Sequence, residues 1–135
     1  MNSEAEFKKV LDCSFIVHTR LGPGLLESTY EECLYYELKK SGLAVEKQVP
    51  LPLIYNDVRL DAGYRIDLMV DKKIIVEIKS VNSLSDLHMA QILTYLKLTG
   101  CHLGLLVNFN VAISKTALNV SFFSLCVLCG KIIIL

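Results

Sequence analysis

The chain has 135 residues, enough for one hydrophobic core, and 53% of them are hydrophobic, which excludes a disordered chain. Fourteen basic and fourteen acidic residues give a net charge of zero. This balance argues against a protein that binds nucleic acid tightly through charge alone, because such proteins usually carry a basic excess.

The cysteines and the two ends of the chain predict the cellular compartment of the protein and whether it spans a membrane. Five scattered cysteines are an odd number, and an opening segment that contains Glu4, Glu6, Lys8 and Lys9 does not resemble a signal peptide. Both observations predict free thiols in a cytoplasmic protein. The apolar run at the end of the chain is interrupted by Lys131 and is too short to predict a membrane span.

Two helices are predicted in the first third of the chain. Apolar residues recur at helical spacing over residues 3–19, and Ser3 is placed to cap that helix. The turn Leu21-Gly-Pro-Gly24 ends it. A second apolar stripe predicts a helix over residues 25–41, which stops at Gly42.

The middle of the chain is predicted to be extended. Two prolines within residues 44–56 bar a helix and favour an edge strand. The pair Asn56-Asp57 supplies a turn into residues 58–70, whose even positions are all apolar, as in one long strand with one buried face. The alternation continues over residues 74–79 after a tight turn at 71–73.

Pairing across this turn brings two acids together. Antiparallel pairing sets Ile66 against Ile78, Leu68 against Val76 and Val70 against Ile74. The same register places Asp67 directly opposite Glu77 on the polar face, with Lys79 two residues further along. Two such carboxylates raise each other's pKa unless a cation neutralises them, and oxygen ligands of this kind suit Mg²⁺ or Mn²⁺. A solvated strand face on which Lys79 pairs with one of the acids explains the same spacing, so the spacing alone leaves both interpretations open.

A third helix is predicted over residues 86–99 and ends at Gly100. His88, Gln91 and Tyr95 are three and four residues apart, so they form one ridge on it. The ridge is compatible with a functional cleft and also with a mixed face at the edge of the core.

The chain then returns to apolar segments. Residues 103–109 are a continuous apolar run, which predicts a strand that is buried on both sides and parallel to the strand before the helix. From Val111 the chain ends in a largely apolar tail. A terminal strand pair, a dimer contact and an ill-packed end are all compatible with this tail.

Three motifs, in this order, carry a resemblance to a known family. They are Gly24-Leu-Leu-Glu27-Ser-Thr-Tyr30, the set of Asp67 with Glu77-Ile78-Lys79, and Gln91-Ile-Leu-Thr-Tyr95. The second set resembles the core of the PD-(D/E)XK nuclease superfamily, whose Asp and Glu-x-Lys lie on adjacent strands. The third is similar to the Gln-x-x-x-Tyr element of its exonuclease-like branch, and the first to the signature of the small GxxExxY proteins of that superfamily. The likeness runs from about residue 5 to Asn110.

The resemblance implies an α/β fold in which helices flank a mixed central sheet, within a nuclease-like domain of residues 1–110. It implies that Asp67, Glu77, the Ile78 carbonyl and Glu27 bind Mg²⁺ or Mn²⁺. It also implies that Lys79 positions the attacking water and that Gln91 and Tyr95 hold the substrate. A favourable charge at a helix N-terminus explains Glu27 without any metal. Related proteins usually continue into a short basic segment, whereas residues 111–135 form an atypical apolar tail, which we assign to the same domain.

The leading hypothesis is therefore a Mg²⁺-dependent nuclease that hydrolyses phosphodiester bonds, with DNA as the expected partner and no membrane association. A second hypothesis keeps the fold without the chemistry, as a nucleic-acid- or protein-binding module, with a homodimer through the apolar C-terminus as one form of it. The neutral charge and the altered tail favour this module, and the apposed acids oppose it. A hydrolase of another phosphate ester would need the same residues as the nuclease.

Overall fold

The computed structural model describes residues 2–61, 63–112, 119–126 and 131–134, the last two ranges as backbone only. Within them the chain forms three helices, α1 (Ser3–Leu21), α2 (Glu27–Lys40) and α3 (Asp86–Thr99). The strands are β1 (Val45–Pro50), β2 (Leu53–Tyr55), β3 (Val58–Leu60), β4 (Arg65–Val70), β5 (Ile74–Lys79), β6 (Leu103–Asn108), β7 (Asn119–Cys126) and β8 (Lys131–Ile134).

Six of these strands form one sheet in the order β1-β4-β5-β6-β7-β8. The central pair β5 and β6 is parallel, and the other neighbouring pairs are antiparallel. A parallel pair needs a long crossover connection, and α3 supplies it. The mixed sheet flanked by helices confirms the predicted fold class. β1, which ends at Pro50, is an edge strand, as its segment was predicted to be.

The helices cover both faces of the sheet. One apolar cluster joins Val10 of α1 and Leu34 of α2 to Val76 of β5, and a second joins Ile92 of α3 to Ile75 of β5. A Cβ atom added at Gly104 on β6 would lie 3.1 Å from the Ile92 side chain, so α3 approaches the sheet closely there. The face predicted to be polar is therefore not solvated, because α3 packs on it.

The helix ends follow capping chemistry. Asn2, and not Ser3, caps α1, since its Oδ1 accepts a hydrogen bond of 2.8 Å from the Ala5 N–H. At α3, Ser85 Oγ accepts from the His88 N–H while His88 Nδ1 accepts from the Ser85 N–H, which is a capping box. The helix then stops at Gly100, whose φ is +74°.

The prediction of one long strand over residues 58–70 is wrong. It divides into β3, which pairs with β2 in a separate two-stranded sheet, and β4, which joins the main sheet. The division lies at a turn in which Gly63 has φ +76° and its N–H donates to Asp61 Oδ1. The predicted turn at Asn56-Asp57 is confirmed, with φ +48° and +62°, as the two-residue loop of the β2–β3 hairpin.

The backbone of the apolar tail continues the sheet. β7 pairs with β6, and β8 pairs with β7, so of the three arrangements left open the terminal strand pair is the one observed. Residues 113–118, 127–130 and 135 of this tail lie outside the described residues.

The free thiols predicted from the sequence are confirmed at the three cysteines whose side chains are described. Cys13, Cys33 and Cys101 are free thiols, and Cys13 and Cys101 are buried. Across the described part of the chain, no helix combines the length and the apolar character that crossing a membrane requires.

Candidate active site

The β4–β5 hairpin brings the two predicted acids together. Its ladder pairs Leu68 with Val76, Met69 with Ile75 and Val70 with Ile74, so two of the predicted pairs are confirmed. The third predicted pair, Ile66 with Ile78, is replaced by bonds to side chains: the Ile78 N–H donates to Asp67 Oδ2 at 2.8 Å, and the Asp67 N–H donates to Glu77 Oε1 at 3.1 Å. Each carboxylate thus binds the backbone of the opposite strand, which holds the acids in fixed positions side by side.

Burial makes this pair of acids difficult to ionise. Glu77 is only 3% exposed, and burial together with the charge of Asp67 raises its pKa to about 8. Burial also raises the pKa of Asp67, although the hydrogen bond from the Ile78 N–H opposes this rise. At neutral pH the pair therefore retains a proton unless a cation offsets its second negative charge.

Lys79 is held beside the acids by α3. Its Nζ donates to Gln91 Oε1 at 3.3 Å, and Gln91 Nε2 donates to the Tyr95 hydroxyl at 3.0 Å. None of the ion pairs within 4.0 Å among the described residues includes Lys79. The interpretation of Lys79 as a surface ion pair on a solvated strand is therefore wrong, because its hydrogen bond is to the half-buried Gln91 on α3, which in turn donates to the buried Tyr95.

Glu27 reaches the end of β5 from the start of α2. Its Oε1 accepts from the Ser80 N–H at 3.2 Å, and Ser80 Oγ donates to the Leu25 carbonyl at 2.7 Å. The charge of Glu27 contributes to the raised pKa of Asp67, which places Glu27 in the same electrostatic environment. The predicted residues Glu27, Asp67, Glu77, Lys79, Gln91 and Tyr95 thus gather at the carboxyl end of β5.

Tyr30 fixes the loop between α1 and α2 that precedes Glu27. Its fully buried ring stacks on Phe109 with 4.6 Å between centroids, and its hydroxyl donates to the Gly22 carbonyl at 2.6 Å and accepts from the Leu25 N–H at 3.2 Å. Gly24 has φ +93°, a conformation that favours glycine. Tyr30 is therefore a packing residue of the core that also fixes this loop.

The family comparison agrees with this geometry. The family model described as the PD-(D/E)XK nuclease superfamily matches residues 4–120, which is most of the chain. The chain belongs to the PD-(D/E)XK nuclease superfamily. No match was found among the curated proteins or among the solved structures.

Two further residues, Gln48 and Glu31, lie in the site and were not predicted from the sequence. Gln48 lies on β1 across from Asp67, with a left-handed backbone (φ +52°), and its Nε2 donates to Glu31 Oε1 at 2.6 Å and to Asp67 Oδ1 at 3.4 Å. Burial, with a smaller contribution from the charge of Asp67, raises the pKa of Glu31. Glu31 lies four residues after Glu27 on α2, so helical spacing could have indicated it. Gln48 had no such signal, because residue type does not predict a positive φ there.

The donor chemistry of the site fits a hard divalent cation. PD-(D/E)XK nucleases generally use divalent metals. No group of three or more Asp, Glu, His or Cys side chains in the described ranges is arranged to hold a metal ion. However, Mg²⁺ is usually held by one or two carboxylates together with water and substrate phosphate. The adjacent carboxylates of Asp67 and Glu77, whose joint ionisation a cation would favour, meet that requirement.

Proposed function

We propose that this protein is a divalent-cation-dependent nuclease that hydrolyses phosphodiester bonds of DNA, and that it belongs to the GxxExxY branch of its superfamily. One observation carries the proposal: a buried pair of acids, Asp67 and Glu77, lies beside an amine, Lys79, that is fixed by α3. The way in which Gly24 and Tyr30 shape the loop that presents Glu27 supports the assignment to the branch.

Asp67, Glu77 and the Ile78 carbonyl would hold Mg²⁺ or Mn²⁺, and Glu27 would join them from α2. When bound, the cation polarises the phosphoryl group and lowers the pKa of a bound water. Since the pKa of Glu77 is about 8, this carboxyl must lose its proton to become a ligand, and its burial against Asp67 makes ionisation depend on the cation.

Lys79 provides the positive charge that the chain itself places beside the acids. Gln91 fixes its Nζ, and Tyr95 fixes Gln91 in turn. An amine held in this way can orient the attacking water and offset the charge that builds on the phosphoryl oxygens. The Tyr95 oxygen accepts from Gln91, so its own proton can be donated to a substrate oxygen.

The alternative is a binding module without chemistry, which the zero net charge favours. That alternative gives no reason to bury Glu77 against Asp67, because an unneutralised buried pair of acids destabilises the fold. We also propose that the whole chain is one domain, since β7 extends the sheet that carries the site and the family match reaches residue 120. The homodimer and the cytoplasmic location stay predictions.

Cleavage of labelled oligonucleotides tests the proposed function. Single- and double-stranded DNA and RNA are incubated with the parent protein, Asp67→Asn and Asp57→Asn, in Mg²⁺, in Mn²⁺ and in EDTA. Asp57 is an exposed acid in the β2–β3 turn, where asparagine adopts the same left-handed backbone readily, so it is a matched control. We expect the parent and Asp57→Asn to cleave DNA only with a cation, and Asp67→Asn to be slower by roughly 100-fold or more. A parent that cleaves none of the substrates, or Asp67→Asn cleaving at the parent rate, would refute the proposal.

A further inference from the structure

A cleft opens on the side of α3 that carries Gln91 and Tyr95. Its volume is about 350 Å³, and its walls include Tyr64, Leu87, Gln91 and Tyr95. Small-molecule sites in proteins usually measure about 300–1,000 Å³, so this cleft is large enough for one small planar group.

The surface of this cleft suits an aromatic ligand. Tyr64 meets Tyr95 in an edge-to-face contact with 6.2 Å between ring centroids, and 42% of Tyr64 remains exposed. Leu87, another residue of the cleft wall, is 77% exposed, so its apolar side chain is accessible to a ligand. Together they offer apolar, partly aromatic area that a flat ring can cover.

The backbone that carries Tyr64 is held in place. The Tyr64 carbonyl accepts a hydrogen bond of 2.9 Å from the Leu51 N–H, which ties it to the segment after β1. The turn made by Asp61 and Gly63 fixes the chain just before it. Because its backbone is held and its ring also contacts Tyr95, Tyr64 loses little conformational freedom when it binds a ligand.

The cleft lies next to the proposed active site and shares Gln91 and Tyr95 with it. Gln91 is part of its wall and also accepts the hydrogen bond from Lys79 Nζ, so one side chain separates the cleft from the amine. Among the described residues that line it there is no carboxylate, so an anionic ligand meets no repulsion from the lining. A nucleotide whose base fills the cleft can thus direct its phosphate past Gln91 toward Lys79.

We propose that this Tyr64 cleft binds an unpaired nucleobase of the substrate, adjacent to the phosphate that is cleaved. The inference rests on the proposed nuclease function and specifies its substrate class. Every nucleobase has a flat face that stacks on an aromatic side chain, so such a site tolerates different sequences. A base inside a duplex is already stacked and paired, so the cleft favours single-stranded or frayed ends.

Equilibrium binding tests this inference independently of catalysis. Fluorescence anisotropy of a short labelled oligothymidine is measured in Ca²⁺ with the parent, Tyr64→Ala, Tyr64→Phe and Tyr36→Ala. Tyr36 is a matched control because it is a tyrosine on α2, 62% exposed and outside the cleft. Removing the ring should weaken binding about tenfold, whereas Tyr64→Phe and Tyr36→Ala should bind like the parent. An oligonucleotide with abasic sites should bind the parent as weakly as the normal one binds Tyr64→Ala.

Equal binding by the parent and Tyr64→Ala would overturn the inference, and so would a parent that does not bind the oligonucleotide. Cleavage in Mg²⁺ or Mn²⁺, measured on the same samples, separates this inference from the proposed function. Binding that depends on Tyr64 without any cleavage would support the cleft and refute the nuclease. Cleavage together with binding that ignores Tyr64 would support the nuclease and refute the cleft.

Discussion

Replacement of Glu77 by glutamine tests the buried pair of acids in the absence of any cation. In the folded protein, burial and the charge of Asp67 raise the pKa of Glu77 from 4.5 to about 8, whereas in the unfolded chain this carboxyl ionises near the lower value. Between these two values the folded state holds a proton that the unfolded chain has lost, so a rise in pH favours unfolding. The parent should lose up to about 1.4 kcal/mol of stability per pH unit from this group, and Glu77→Gln, which cannot ionise, should not.

The free energy of unfolding is measured by urea denaturation in EDTA, at intervals from about pH 5 to pH 8. We expect the free energy of unfolding of Glu77→Gln, relative to that of the parent, to increase as the pH rises, by at most about 4 kcal/mol over this range. Glu46→Gln is the control, because Glu46 is an exposed acid on β1 and should leave the profile unchanged. Two results would refute this reasoning: the same dependence of the free energy of unfolding on pH in the parent and in Glu77→Gln, or a parent that becomes more stable relative to the variant as the pH rises. Either result would show that Glu77 is ionised in the folded protein.

Other predictions test the parts around this pair. Tyr30→Phe leaves the Gly22 carbonyl and the Leu25 N–H without their buried partner, so urea denaturation should show a loss of about 1–3 kcal/mol; unchanged stability would contradict the role given to the hydroxyl. Gly100→Ala forces a side chain into φ +74° far from the acids, so it should cost about 1 kcal/mol without changing cleavage, and an equally stable variant would be evidence against the strain. Binding of Mn²⁺ at pH 7 should release most of a proton from Glu77, measured by calorimetry in two buffers of different ionisation enthalpy, and the absence of release would contradict its raised pKa.

The position of the acids could be predicted because two simple constraints act together. A period of two assigns each residue of β4 and β5 to one face of the sheet, and a three-residue loop sets the register between the strands. Asp67 and Glu77 could therefore be placed side by side from the sequence. The bonds from each carboxylate to the backbone of the opposite strand could not be predicted, because they replace a ladder that ends at the Leu68–Val76 pair.

The failures have equally specific causes. The alternation of residues 58–70 runs unbroken through the turn at Gly63, so a pattern of period two cannot detect the end of a strand there. His88 completes a capping box in the position where glutamate or glutamine is usual, so the sequence did not indicate its capping role. The hydrogen bond from Gln48 to Asp67 depends on a left-handed backbone within a strand, which cannot be predicted from the residue type.

The most direct test of the central claim is single-turnover cleavage of DNA by Lys79→Met, with Mn²⁺ binding measured on the same preparation. Lys97→Met is the matched control, because Lys97 is an exposed lysine on α3. If Lys79 acts on the phosphoryl group and Asp67 and Glu77 hold the metal, as proposed, Lys79→Met binds Mn²⁺ and does not cleave, while Lys97→Met does both. Cleavage by Lys79→Met at the parent rate would contradict the account.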